Sequence, residues 1–218
     1  MADLALSPIR RNTSLTAGAM DRLRQAILTG ELKEGTSLPE AQTAAKLGVS
    51  RVPVREALVE LERQGLVEFD RNGRACVRAF TPDDVAEIIS LRANLQRMAA
   101  RLAATKLTDE DVLALEDVLS RAAAETDLTA FSALDTAFHD QIVRIARHKR
   151  LSRLWDDVRS QMELWLARIH RRRESVKHDV RQATLSSHRE MVEVLKTRKP
   201  DKAGDLMERH CTWTDFTA

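Results

Sequence analysis

Cysteine is almost missing from this chain, Cys76 and Cys211 being the only two among 218 residues. So distant a pair supports neither a disulfide framework nor a cysteine-rich zinc site, and a reducing cytoplasm is the expected setting. Long apolar runs are missing as well. No stretch approaches the roughly 18 apolar residues of a membrane helix, and the opening MADLALSPIRRNTS lacks the apolar core of a secretory signal. A soluble, cytoplasmic protein with no membrane partner is expected. Charge of one sign is also lacking: 35 basic against 33 acidic residues leave a net +2. That excludes a uniformly basic nucleic-acid coat and makes any DNA affinity a matter of local placement. Residues 1–78 hold 12 Lys and Arg against 10 Asp and Glu, so the small surplus is N-terminal. Glycine nearly vanishes after Gly73, Gly204 being the only later one, and no phosphate-cradling glycine loop is present.

What the chain does have is a dense helical segment, GVSRVPVREALVELERQG, from Gly48 to Gly65. Ser50 is placed to cap a helix starting at Arg51, and Pro53 is tolerated in a first turn whose amides have no intrahelical partner. Val54, Leu58 and Leu61 form one apolar stripe beside Ala57, while Arg51 and Arg55 share another face near the N-terminal end. Upstream, Ala41–Leu47 reads as a short helix closed by Gly48. Short helix, glycine turn and basic-led second helix make a helix-turn-helix, whose second helix enters the major groove by its N-terminal residues.

Residues 1–14 read as a flexible tail. Met20, Leu23 and Ile27 recur with helical spacing over residues 16–29, and GELKEGTSLP reads as a turn-rich connection. Leu66–Phe69 and Ala75–Arg78 flank Asn72-Gly73, a hairpin signal because both residues accept positive φ. The hairpin makes residues 15–79 a winged unit. Arg71 and Arg74 near Gly73 at its tip are candidates for phosphate or minor-groove contact, or are ordinary solvated turn residues. From residue 80 to 218 helical periodicity dominates, with helices expected near 82–105, 108–125, 128–147, 151–173, 179–197 and 201–215. Thr108 and Asp127 are placed as N-caps. The expected fold is mainly α: an N-terminal winged helix-turn-helix and a C-terminal all-α antiparallel six-helix bundle.

Polar residues interrupt the apolar stripes of that bundle. Asp135 and His139 lie one turn apart beside Phe131, Leu134, Phe138, Ile142 and Ile145; His188 is in register with Met191, Val192 and Leu195, and His210 with Leu206, Met207 and Trp213. Each alone reads as a satisfied core residue. Together, one carboxylate and three imidazoles are costly to bury without a shared partner, and a divalent cation is one such partner. Arg92 also faces inward with Ile88, Leu95 and Ala99, and a buried guanidinium requires an anion: either a bundle carboxylate or the carboxylate of a small ligand.

LGVSRVPVREALVELERQGLV resembles the DNA-binding core of the GntR family of bacterial transcription regulators. The D-x-x-x-H of Asp135 and His139, followed by His188 and His210, is similar to its FadR-like branch with an FCD effector domain. The resemblance runs from about Leu15 to His210. Thr43 stands where the family has leucine in LAxxLG, and Val52 where SRTPVREAL has threonine, changes that bear on packing and base preference. It implies DNA contacts at Ser50, Arg51, Val52, Arg55, Arg71, Gly73 and Arg74, and a divalent metal per subunit held by Asp135, His139, His188 and His210. Zinc comes first, with nickel, iron or manganese open. It also implies an organic-acid effector reaching Arg92, where Gln96 replaces a frequent acidic residue. The expected function is a homodimeric repressor on double-stranded operator DNA, controlled by that effector. The alternatives are a metal-dependent enzyme with a DNA-targeting module and a constitutive DNA-binding protein with a structural metal.

Overall fold

The computed structural model describes residues 13–174 and 180–212, with side chains over 15–168 and 181–212. The tail expected over 1–14 falls largely outside these residues, as do His178 and Trp213 and the side chains of Ile169 and His170. The chain divides into two compact units, residues 1–27 with 32–78 and residues 28–31 with 79–218.

The first unit holds α1 (Thr13–Leu28), α2 (Glu40–Leu47), α3 (Arg51–Arg63), β1 (Val67–Phe69) and β2 (Ala75–Val77). Its core follows from the stripe of α3: Val54, Ala57, Leu58 and Leu61 are all fully buried, together with Ile27 and Leu66. Gly48 ends α2 in the left-handed region, φ 67°, where a side chain would be strained. Ser50 occupies the N-cap of α3 in extended conformation, but its hydroxyl makes no capping bond. Pro53 removes one of the two amides a cap can bond, since it sits three residues on and has no N–H to donate.

Strands β1 and β2 pair antiparallel, Val67 opposite Val77 and Phe69 opposite Ala75. The connecting turn differs from the two-residue Asn-Gly type, since Gly73 alone of the pair has positive φ, at 72°. Asp70 N–H donates to Arg74 O at 2.9 Å, Gly73 N–H donates to Asp70 O at 2.9 Å, and the Asp70 carboxylate accepts from the amides of Asn72 and Arg74. This is a three-residue loop closed by a left-handed glycine. The stretch read as a plain connection is also more ordered than its composition suggested. Gly35 N–H donates to Val77 O, Val77 N–H to Thr36 O, and Leu38 N–H to Ala75 O, so β2 is paired on both edges.

The second unit is helical: α4 (Pro82–Lys106), α5 (Asp109–Ala124), α6 (Leu128–Ile145), α7 (Lys149–Glu174), α8 (Val180–Lys196) and α9 (Pro200–Thr212). Thr81 with Asp84, and Thr108 with Asp111, form reciprocal capping boxes, and Asp127 caps α6 by accepting from Ala130 N–H at 2.8 Å. Three-residue connections join α5 to α6, α6 to α7 and α8 to α9, as antiparallel neighbours in a bundle require. The core includes Phe131, Phe138, Ile142, Met191, Leu195 and Met207, whereas Leu134 is only half-buried. Helices α4 and α9 approach closely because Gly204 lies against Arg101; a Cβ there would come within 2.6 Å of Arg101 Cγ.

Candidate functional site

In the first unit, α3 presents its N-terminal half to solvent. Arg51, Val52 and Arg55 are exposed, Val52 at 66%, while Pro53, Val54, Ala57, Leu58 and Leu61 are buried. Arg55 Nε donates to Glu40 Oε1 on α2 at 2.9 Å. So exposed an ion pair contributes little to stability, and it leaves the guanidinium able to exchange Glu40 for a base edge or phosphate. Arg71, Gly73 and Arg74 are exposed at the wing tip.

In the second unit, side chains from four helices converge. Asp135 and His139 are 4% and 1% exposed on α6, His188 is 2% exposed on α8, and Arg92 is 3% exposed on α4; His210 projects from α9. His188 Nε2 lies 3.2 Å from His210 Nε2, which lies 3.3 Å from His139 Nε2. Potential ligand atoms of the three imidazoles all fall within 4.8 Å of one another, and Asp135 Oδ1 adjoins them 3.3 Å from His188 Nε2. An ion with bonds of about 2.1 Å keeps adjacent donors roughly 3.0–3.4 Å apart in octahedral or tetrahedral surroundings. The three imidazoles make a possible site for a divalent metal, with the Asp135 carboxylate beside them. The ring of His188 is fixed by stacking on Phe138, centroids 4.0 Å apart.

The outer contacts are specific too. His139 is held at both ring nitrogens from α4: Arg92 Nη2 donates to Nε2 at 2.7 Å, and Gln96 Oε1 lies 3.3 Å from Nδ1. Ser187 Oγ lies 2.8 Å from His210 Nδ1. Among the described residues no carboxylate forms an ion pair with Arg92. Gln96 and Ser187 were not read from the sequence as contacts of these histidines. Gln96 had a signal, since it falls one turn after Arg92 on the same face; Ser187 had none, because a serine beside a histidine is common on helix surfaces.

Burial sets the protonation of the cluster. It pushes Asp135 up to about 6, partly opposed by the nearby Arg92 guanidinium. It pushes His210 down to about 3, helped by Arg92, and holds His139 well below the ordinary histidine value, with Arg92 and the other two histidines adding to the effect. The His139 and His210 imidazoles are therefore neutral near pH 7, the form that offers a lone pair. His148, by contrast, serves a helix end: its Nδ1 accepts from Leu151 N–H at 3.1 Å.

Both units match known families. The FCD domain profile matches residues 87–212, and that of bacterial regulatory proteins of the gntR family matches residues 15–77. The chain belongs to the GntR family. It is a transcription regulator with an FCD domain, from a family of regulators rather than enzymes. The regulator is 30% identical over 200 residues to a Paenarthrobacter nicotinovorans protein named "Probable D-xylose utilization operon transcriptional repressor", covering 91% of this chain and 86% of that one. It is 29% identical over 182 residues to the gluconate operon transcriptional repressor of Bacillus licheniformis, covering 82% of this chain and 74% of that one. Among solved structures it is similar to a GntR transcriptional regulator from Rhodococcus sp. RHA1, with a TM-score of 0.71, 25% identity, and 93% and 96% of the two chains covered. It also shares its fold with McbR/YncC of E. coli, at a TM-score of 0.72 and 21% identity over 92% and 95% of the two chains.

Proposed function

We propose that this regulator is a cytoplasmic, homodimeric repressor. It binds pseudo-palindromic operator DNA and releases it when a small organic acid binds beside a divalent metal, zinc before nickel, iron or manganese. Asp135, His139, His188 and His210 would hold the metal. Bound there, it would supply positive charge and coordination positions open to an oxygen of the effector.

The observation that carries the reading is the charge of the buried cluster. Asp135 and Arg92 cancel, and both are almost fully buried. A divalent ion added to neutral imidazoles leaves two uncompensated positive charges in a low-dielectric interior, which is costly until an anion enters. Arg92, with no carboxylate partner among the described residues, offers that anion a charge-assisted forked donor. The gluconate operon relative is named for the operon of an organic acid, which agrees with this ligand class.

On the DNA side, Arg51, Val52 and Arg55 lie at the N-terminal end of α3, the part of a recognition helix that meets base edges. Val52 suits a thymine methyl, and the Ser50 hydroxyl, which makes no capping bond, suits a phosphate. Arg71 and Arg74, with Gly73 between them, would extend contact from the wing.

One short helix reads too few base pairs for specificity, so a two-fold dimer on a two-fold site is expected. Helix α4 supports self-association: Leu91 and Met98 are 50% and 42% exposed, and Leu95 and Leu102 are half-buried along the same strip. The α4 basic residues Arg97 and Arg101 are engaged by Asp205, Glu208 and Asp201 of α9, so the apolar strip rather than charge is what a second copy would meet.

Titrating small mono- and dicarboxylates against zinc-loaded protein on labelled operator DNA tests the reading. At least one acid should release the wild-type protein, and Arg92→Ala should need roughly tenfold to a hundredfold more of it, the worth of a hydrogen bond to a charged group. Operator affinity indifferent to every acid would instead indicate a constitutive DNA binder.

A further inference from the structure

The contacts of His139 fix more than its position. A guanidinium can only donate hydrogen bonds, so the Nε2 atom that Arg92 approaches at 2.7 Å is an acceptor. A neutral imidazole with an accepting Nε2 carries its proton on Nδ1. The Gln96 atom 3.3 Å from Nδ1 must then be the carbonyl oxygen. This leaves Gln96 Nε2, on a side chain with no exposed surface, without any hydrogen-bond partner. An orphaned buried amide costs free energy, and its retention calls for an explanation other than packing.

Resting on the metal reading above, we infer that Gln96 is a positioning residue of the metal centre: it accepts the Nδ1–H hydrogen bond of His139 and so keeps the proton off Nε2, whose one lone pair Arg92 takes in the metal-free chain and an ion would take once Arg92 turns to the effector. Metal-bound histidines depend on such outer partners for tautomer, ring orientation and donor strength. The choice of glutamine has a second consequence. A carboxylate at position 96 would accept the same proton, but one turn from Arg92 it would cancel the guanidinium charge that the effector needs. Glutamine supplies the acceptor without the charge. Ser187 plays a looser part at His210, because a hydroxyl can donate or accept and thus tolerates either tautomer.

The test is zinc affinity, measured by competition with a chelating dye, alongside thermal unfolding of the metal-free protein. Gln96→Met keeps an unbranched side chain of similar length and removes both polar atoms. It should bind zinc about 10- to 100-fold more weakly than wild type, with metal-free thermal stability unchanged because a 3.3 Å bond and an orphaned amide are lost together. Gln96→Glu should restore zinc binding to the wild-type level or tighter, while blunting release of operator by organic acids. A Gln96→Met protein that binds zinc like wild type would overturn the inference and leave the metal reading standing. A variant whose metal-free form is destabilised, or a Gln96→Glu protein as weak as Gln96→Met, would mark Gln96 as a packing residue and overturn it too. If wild-type protein fails to hold zinc, the metal reading falls and the role of Gln96 with it.

Discussion

Replacing Asp135 by asparagine should make the metal-free regulator more stable and the metal-binding regulator worse. Asp135 is buried, and its carboxyl titrates at about 6 in the fold against an ordinary 3.8. A group whose folded value is raised contributes stability that is fully present below pH 3.8 and is lost as pH rises through 6. At pH 7 the folded chain therefore carries a buried charge that the unfolded chain carries in water. The gap of about two units corresponds to a penalty on the order of 3 kcal/mol. An asparagine side chain has no charge to bury. The D135N protein should thus unfold several degrees higher than wild type at pH 7 without metal, and the advantage should shrink as pH falls toward 4. Metal affinity should move oppositely. Between pH 7 and pH 5 the ionised fraction of Asp135 falls from about nine-tenths to about one-tenth, so its protonation alone weakens metal about tenfold. Burial lowers His139 and His210 below this window, which leaves the competition between proton and metal to the carboxyl. Calorimetric unfolding and zinc titration at a series of pH values check both halves. A D135N protein no more stable than wild type at pH 7, or with an equally steep pH dependence of zinc binding, would refute the reasoning.

Two further substitutions address the other surfaces. Arg55→Ala should lose roughly 1–3 kcal/mol of operator affinity at matched salt if Arg55 leaves Glu40 for a base edge, which a binding isotherm on a folded variant will read; unchanged affinity would remove α3 as the recognition helix. Met98→Asp places a charge in the exposed strip of α4 and should shift the proposed dimer toward monomer in analytical ultracentrifugation while leaving zinc content unchanged; an intact dimer would assign self-association to another face.

Much of the architecture was legible because side-chain periodicity reports burial directly. The α3 stripe of Val54, Leu58 and Leu61 and the inward register of Asp135, His139, His188 and His210 follow from helical spacing alone. Contacts between elements did not follow. The pairing of residues 35–38 with β2 depends on where the chain passes in space, and its turn-rich composition concealed it. The silent cap at Ser50 was readable in part, since Pro53 stood in the sequence three residues on. The hold of Gln96 on His139 needed the α4–α6 packing to be known, because no spacing within one helix shows which nitrogen of a distant ring it meets.

A metal held by one carboxylate and three imidazoles in the helical unit can be read as metal content, by atomic spectrometry, of protein purified without chelator, loaded in turn with zinc, nickel and manganese, and dialysed. Wild type should hold close to one ion per subunit, and His188→Ala should lose most of it with the helical fold retained. Wild-type protein that keeps no ion after dialysis, or a His188→Ala variant that keeps a full complement, would contradict that site.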